Sequence, residues 1–231
     1  MNIRRVSLGC VALALVTFAA LAASRDPKPV RNVTDPGVIV TRQNTTPAGV
    51  QSVFEGRVYG VAFGAKPDEI WALGAKELVG LNWRENRVVT VVPLEGKPGL
   101  QGVVADQSGR VLVATGNATN VRLQSVEHGS VRLVAAGLGG YTPGTVALAR
   151  QKNAAGQRLA VIPIIAQNKA AVVDLESARA LGSVPTGVAP VGAAINANGT
   201  IAYVSKWGGR QPQPGDVTAP AGHTAKAEPV V

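Results

Sequence analysis

Short apolar segments separated by polar turns dominate the chain after residue 24. Four of these segments begin at Gly60, Gly102, Thr145 and Gly192, with spacings of 42, 43 and 47 residues. A polar turn and a second apolar segment follow each of them, and in the first three units a third and a fourth segment come next. Runs such as Arg87 to Val92 show the alternation and the β-branched residues that indicate strands. The pattern predicts repeated groups of four strands and no helix of useful length.

Four strands in a period of about 40 to 45 residues are typical of a propeller blade. We therefore predict an all-β fold, a β-propeller of four-stranded antiparallel blades, with blades at about 58–97, 98–142, 143–187 and 188–231. A β-sandwich, which also has many short strands, is the alternative. We favour the propeller because sandwich strands need not repeat in groups of four.

The fourth unit departs from the others. Its first two strands are followed by a segment rich in Pro and Gly, from 208 to 227, and then by Glu228-Pro-Val-Val231 where a third strand would begin. The prediction is thus an incomplete propeller of about three and a half blades, with an exposed apolar face and open strand edges. We interpret the chain as a fragment of a longer protein. The alternative is that several copies assemble into one ring, and we expect self-association through the open blade edges.

The N-terminal residues predict export. Arg4 and Arg5 precede an apolar run from Val6 to Ala23, and Ala20-Leu21-Ala22 offers a cleavage site with small residues, which is the secretory signal pattern. A membrane anchor is the alternative, but no charged cluster follows the run. We expect a signal peptide at 1–23, no stable membrane span after its removal, and a periplasmic or secreted product. The segment 24–57 then contains a short strand at Asp35 to Thr41 of the kind that closes a propeller ring.

The cysteine content and the net charge limit the kinds of site and partner that we expect for this chain. Cys10, the only cysteine, lies in the predicted signal peptide, so the exported chain has no disulfide and no thiolate. The net charge of +9 admits an acidic partner. However, the basic residues are scattered and do not alternate with aromatic residues, so we expect no nucleic-acid partner.

Two stretches resemble one unit of the YVTN-type β-propeller repeat: Lys169 to Gly182, which contains Val172-Val-Asp174, and Ile195 to Arg210, which contains Asn198-Gly-Thr-Ile-Ala-Tyr203-Val-Ser205. The chain departs from the repeat at Lys206, where Asn is usual, and its second and third blades are degenerate. The segment from Trp207 to Ala219 is similar to exported bacterial proteins in which such a propeller precedes a phosphoesterase domain of the alkaline-phosphatase superfamily. The resemblance implies a hydrolase part beyond Val231, and no catalytic residue of that part is matched here.

Candidate sites are few. His128 and His223, the only histidines, do not form a ligand set with nearby carboxylates, so we expect no metal and no cofactor. Long loops on a rigid scaffold carry binding. The ligand-binding candidates are therefore Trp207 for stacking, Arg210 for an anion, and Asp216 and His223 for polar contacts. The alternative is that Trp207 packs between blades and the rest of the segment is a linker.

The function that follows is a binding module for an unknown protein or small-molecule ligand. The alternative is the N-terminal propeller of a phosphoesterase whose catalytic domain lies beyond residue 231, so enzyme activity stays open. A propeller that itself hydrolyses a substrate, as lactonase-type propellers do, is the third reading. It is disfavoured because the four innermost segments supply no acidic residue or histidine.

Overall fold

The computed structural model describes residues 52, 56–217, 219–220 and 229–230. The predicted signal peptide and the strand predicted at 35–41 lie outside these residues. A single 3-10 turn, Ile165–Gln167, interrupts an otherwise all-β chain in the described part. The strands are β1 Gly60–Phe63, β2 Glu69–Leu73, β3 Glu77–Asn82, β4 Arg87–Pro93, β5 Lys97–Ala105, β6 Val111–Gly116, β7 Val121–Glu127, β8 Ser130–Ala135, β9 Ala147–Leu148, β10 Leu159–Ile164, β11 Lys169–Asp174, β12 Arg179–Pro185, β13 Pro190–Ile195, β14 Ala202–Lys206, β15 Ala219–Pro220 and β16 Pro229–Val230.

The strands form antiparallel sheets in chain order. β1–β4, β5–β8 and β9–β12 each make a four-stranded sheet, β13 pairs with β14, and β15 pairs with β16. Consecutive four-stranded sheets that pack on one another form a β-propeller, and the predicted fold class is confirmed. Blades 1, 2 and 3 are the four-stranded sheets, and blade 4 is the β13–β14 pair. The part of the chain that the structure describes thus holds three full blades and the inner half of a fourth.

Some strands differ from those that the pattern predicts. The innermost strand of blade 3 is only Ala147–Leu148. The end of the chain does not add a third strand to blade 4, because Pro229–Val230 pairs with Ala219–Pro220. β14 therefore has β13 as its only partner strand within the described residues.

Apolar side chains between successive blades form the core. Blade 1 packs on blade 2, blade 2 on blade 3, and the inner strands of blade 3 on blade 4. Burying such a side chain contributes about 1.5–3 kcal/mol, so these interfaces account for much of the stability. The members between blades 1 and 2 are Trp71, Leu73, Leu78, Val92, Val103, Val111, Val113 and Val126; between blades 2 and 3 they include Leu112, Leu123, Val134, Ile162, Ile164 and Val173; between blades 3 and 4 they are Ala147, Val161, Ala170, Ala193, Ile195 and Val204.

One turn recurs between the first and second strands of blades 2, 3 and 4. Asp106, Asn153 and Asn196 open these turns, and the Oδ1 atom of each accepts hydrogen bonds from backbone N–H groups two to five residues later. A glycine with positive φ follows three residues after each of them. Asp and Asn favour such turns because the side chain replaces a backbone acceptor. The recurrence shows that the sequence period is a structural period.

Three glycines of the innermost strands lie where a Cβ would come too close to other atoms, but the atoms that it would meet differ. A Cβ at Gly60 would lie 2.9 Å from the Cα of Gln101 in the innermost strand of blade 2. At Gly102 and Gly192 the Cβ would instead meet the second strand of the same blade, at the Ala114 carbonyl oxygen and the Ser205 hydroxyl. Of these three glycines, Gly60 alone is explained by contact between the innermost strands of neighbouring blades.

Candidate binding site

The loop that leaves β14 carries three of the four residues predicted to bind a ligand. We call residues 207–217 the Trp207 loop. Trp207, Arg210 and Asp216 lie within it, whereas His223 lies outside the described residues. The structure thus places three of these residues on one short loop, as chain proximity requires, and says nothing of the fourth.

The start of the loop is bonded to the link between blades 3 and 4. The backbone N–H of Trp207 donates to the Ala189 carbonyl at 3.0 Å, and that of Gly208 donates to the Val188 carbonyl at 3.0 Å. In return, Val188 N–H donates to the Gly209 carbonyl at 3.1 Å. These bonds hold residues 207–209 against blade 4.

Gln211 ties the loop to blade 3. Its Nε2 donates to the carbonyl oxygens of Thr186 at 2.6 Å and Asn168 at 3.2 Å. Asn168 is itself buried, and its side-chain oxygen accepts the N–H of Ala189 at 2.9 Å. The loop is therefore fixed to two blades rather than to one.

Arg210 and Asp216 close the loop on itself. Arg210 Nη1 donates to Asp216 Oδ2 at 2.6 Å and Nη2 donates to Oδ1 at 2.9 Å, which is a bidentate pair. The N–H of Gln213 also donates to Asp216 Oδ2. The Arg210 hydrogen bonds, followed by that of Gln213, lower the pKa of Asp216 to about 2, and the same pair raises the pKa of Arg210 above its ordinary value. Arg210 thus meets a carboxylate of its own chain.

Trp207 remains exposed on this closed loop. Its side chain is 70% exposed, in contrast to Trp71, which is 8% exposed between blades 1 and 2. Packing of Trp207 between blades, the alternative considered from the sequence, is not seen in this chain. An exposed indole on a fixed backbone can contact an apolar or planar group of a ligand.

Beyond the loop, a buried ionic cluster joins blades 2 and 3. Asp106 accepts hydrogen bonds from Arg110 Nε at 3.2 Å, from Arg158 Nη2 at 3.0 Å and from the Ser108 hydroxyl at 2.6 Å. Arg158 Nε lies 3.7 Å from a Glu176 carboxylate oxygen. The buried Nε of Arg158 has no hydrogen-bond partner among the described residues, but the bonds to Asp106 join the two blades, so we interpret the cluster as an interblade connection. Sequence reasoning missed it because Arg158 is 52 residues from Asp106.

Asp174 is a second buried carboxylate with a structural role. It accepts the N–H of Glu176 at 3.0 Å and the Ser177 hydroxyl at 2.6 Å in the turn between β11 and β12. The hydrogen bond from Ser177, more than any other contact, lowers the pKa of Asp174 below its ordinary value. Asp174 therefore stabilises a turn and is not poised as a general acid.

A cleft of about 390 Å³ opens between blades 1 and 2, with Lys66, Glu69, Trp71, Arg110, Glu127 and His128 in its lining. The indole N–H of Trp71 is buried and has no partner among the described residues. His128 lies in a turn with positive φ at this cleft. No group of three His, Cys, Asp or Glu side chains in the described part of the chain could hold a metal ion.

No family model matches this sequence, and no curated protein matches it. Among solved structures, it is similar to hydrazine synthase from Kuenenia stuttgartiensis, with 12% identity and a TM-score of 0.49 over 65% of this chain and 43% of that one. It is also similar to the Pan2 WD40 domain of Neurospora crassa, with 15% identity and a TM-score of 0.48 over 66% and 47%. A chain of a nidogen/laminin complex gives 16% identity and a TM-score of 0.48 over 64% and 55%.

The matched region spans about half the length of these solved chains. Similarity at this level carries no statement about activity or partners. Among the described residues, no helix has the length and apolar character needed to cross a membrane.

Proposed function

We propose that this chain is an exported propeller scaffold that binds a partner protein or a small ligand through the Trp207 loop. The observation that supports the proposal is the exposure of Trp207 on a loop fixed to two blades. Tryptophan is enriched at the energetic centre of interfaces because a rigid side chain supplies a large contact area. Exposed loops on a rigid scaffold are also the usual location of binding residues.

The hydrogen bonds of the loop reduce the cost of binding. A loop that must be ordered on binding loses about 0.5–1.5 kcal/mol for each immobilised side chain. The Arg210–Asp216 pair and the two Gln211 bonds already order this backbone. Trp207 then contacts the ligand, whereas Arg210 and Asp216 position the loop.

Site-specific cross-linking tests the proposal. In one variant a photo-reactive phenylalanine analogue replaces Trp207. In the control variant the same analogue replaces Leu133, which is exposed in blade 2. We expect a discrete product with position 207 only, whose partner is identified by mass spectrometry and then purified. Binding of that partner should weaken at least tenfold in Trp207→Ala and stay unchanged in Leu133→Ala.

Three results count against the proposal: equal products at both positions, a partner whose affinity is unaffected by Trp207→Ala, or a product that is only a second copy of this chain. Export is tested separately. We expect the mature N-terminus near Ala23 in the periplasmic or secreted fraction, and a cytoplasmic product that retains residues 1–23 overturns that part.

The second candidate function is the propeller portion of an alkaline-phosphatase-superfamily phosphoesterase. The likeness of residues 169–210 to a YVTN-type unit supports it, and this stretch contains hydrogen-bonded turns at Asp174–Ser177 and at Asn196–Gly199. Intact mass of the natural product tests it. A product several tens of kDa heavier with phosphatase activity supports this candidate, and one near 23.6 kDa without that activity rejects it.

A further inference from the structure

A second candidate site is the cleft of about 390 Å³ between blades 1 and 2, which we call the Trp71 cleft. Pockets for small molecules usually have volumes of about 300–1,000 Å³. Blade 1 contributes Trp71 from β2 and Lys66 from the turn before it, and blade 2 contributes Glu127 from the end of β7. The Trp207 loop is bonded to blades 3 and 4, so this cleft is separate from the site of the proposed function.

Two charged residues of the lining already have partners in their own blades. Glu69 Oε2 accepts the backbone N–H of Ala65 at 3.1 Å, and Arg110 Nε donates to Asp106 Oδ2 at 3.2 Å. Each of these bonds spans a turn between two strands of one blade. Glu69 and Arg110 therefore stabilise the walls of the cleft, and the binding of a ligand falls to other residues.

Several polar groups of the lining have no side-chain partner among the described residues. They include the ammonium group of Lys66, the carboxylate of Glu127 and the indole N–H of Trp71. Lys66 and Glu127 lie on different blades, and no ion pair joins them in the described structure. An ammonium group and an indole N–H only donate hydrogen bonds, whereas a carboxylate only accepts them. The cleft thus offers donors from blade 1 and an acceptor from blade 2 that the described part of the chain does not use.

The indole N–H of Trp71 has the greatest need of a partner, because it is buried. Trp71 is 8% exposed. A buried donor without an acceptor loses its hydrogen bond to water and gains none in the protein, so nearly all such donors in folded proteins have a partner. An acceptor oxygen of a ligand in the cleft would provide the missing hydrogen bond, and Lys66 would balance a negative charge on that oxygen.

We propose that the Trp71 cleft binds a small zwitterion of the amino-acid or short-peptide class. The carboxylate of the ligand accepts hydrogen bonds from the Trp71 indole N–H and the Lys66 ammonium group, and the ammonium group of the ligand donates to Glu127. A simple anion would leave the Glu127 carboxylate without a donor. A simple cation would leave Trp71 and Lys66 without an acceptor. Two unpaired charges of opposite sign favour the zwitterion over a neutral sugar.

A comparison of charged and neutralised probes tests the chemistry of the ligand. The probes are the standard amino acids and glycylglycine, and a rise in the midpoint of thermal unfolding selects those that bind, since a ligand bound only to the folded state stabilises it. Isothermal titration calorimetry then compares the best probe with its N-acetyl and carboxamide analogues, each of which lacks one of the two charges. We expect one ligand per chain and at least tenfold weaker binding of both analogues.

Variants of the lining test the location of the site. Lys66 and Glu127 are exposed, so Lys66→Met and Glu127→Gln should fold normally and weaken binding of the best probe at least tenfold. The matched controls are Lys76→Met and Glu77→Gln, at exposed positions outside the cleft, and they should bind as the wild-type chain does. The Trp71 indole N–H signal in NMR, assigned by its loss in Trp71→Phe, should shift when the probe is added.

Five results overturn the proposal. They are the absence of binding by every probe, tighter binding of a neutral sugar such as glucose, an analogue that binds as tightly as its parent, wild-type affinity in Lys66→Met and Glu127→Gln, and a Trp71 N–H signal that stays unchanged in the complex. A probe whose binding is lost in Trp207→Ala but kept in Lys66→Met belongs to the Trp207 loop. That outcome supports the proposed function and rejects the Trp71 cleft as the site, so the two proposals fail separately.

Discussion

Arg158, directly before the second strand of blade 3, donates a hydrogen bond of 3.0 Å to the buried carboxylate of Asp106 in blade 2. The Asp106 side chain is 2% exposed and also accepts from Arg110 and Ser108. A single carboxylate thus completes its own turn and connects two blades.

Replacing Asp106 should destabilise the protein strongly. Asp106→Ala removes the counter-charge of Arg110 and leaves Arg158 with Glu176 at 3.7 Å as its counter-charge. Removing one partner of a buried ion pair costs about 3–5 kcal/mol. Because the arginines retain some exposure, we expect the free energy of unfolding, measured with urea, to fall by about 3 kcal/mol. Glu85→Ala, which removes an exposed ion pair with Arg87, serves as the control and should change the free energy of unfolding by less than about 1 kcal/mol. Equal losses in the two variants would contradict the connecting role.

The Trp207 loop should open at low pH. The folded pKa of Asp216 is about 2, below its ordinary value of 3.8, so the pair contributes fully above about pH 4 and is lost as the pH falls through 2. Carboxyl carbon NMR of Asp216 measures this pKa directly. In Arg210→Ala the pKa of Asp216 should rise towards its ordinary value, because the hydrogen bonds from Arg210 lower this pKa most. An unchanged pKa in that variant would show that Arg210 does not hold the loop.

A methyl group at Gly60 should weaken the contact between blades 1 and 2. In Gly60→Ala the added Cβ lies 2.9 Å from the Gln101 backbone, which cannot move without shifting β5, and overpacking of this kind costs about 1–3 kcal/mol. Gly209→Ala adds the same group where no atom lies within 4 Å and should be close to neutral. Urea unfolding of the pair checks the difference, and equal stabilities would refute the close approach.

The three tryptophans should differ in their access to a quencher. Trp207 is 70% exposed, Trp83 43% and Trp71 8%. Acrylamide quenching should therefore fall most in Trp207→Phe and rise in Trp71→Phe, since the latter removes the protected fluorophore. Trp207→Phe should also change the free energy of unfolding by less than about 0.5 kcal/mol. Strong protection of Trp207 from the quencher in the pure protein would contradict its exposure in the structure.

Much of the fold follows from local patterns. The strands near Gly60, Gly102 and Gly192 recur at the period of a blade, and the Asx turns at Asp106, Asn153 and Asn196 repeat with them. Strand length was harder to predict. β9 shrinks to Ala147–Leu148 and Pro229–Val230 pairs with Ala219–Pro220, because which segments pair depends on neighbours distant in the chain.

In the candidate site, too, the sequence predicts some features and only the structure shows the others. Trp207, Arg210 and Asp216 were predicted as three separate contacts to a ligand, but the bidentate bond between Arg210 and Asp216 turns two of them into supports for the third. Residue types six positions apart do not reveal whether two side chains will face each other across a loop.

Alternating strands, turn residues and their period are local properties, so the amino-acid sequence alone was enough to define the blades and their order. The connection from Asp106 to Arg158 and the exposure of Trp207 are seen only in the tertiary structure. Burial and ion pairing join residues that are tens of positions apart, and that proximity is created by packing of one blade on the next.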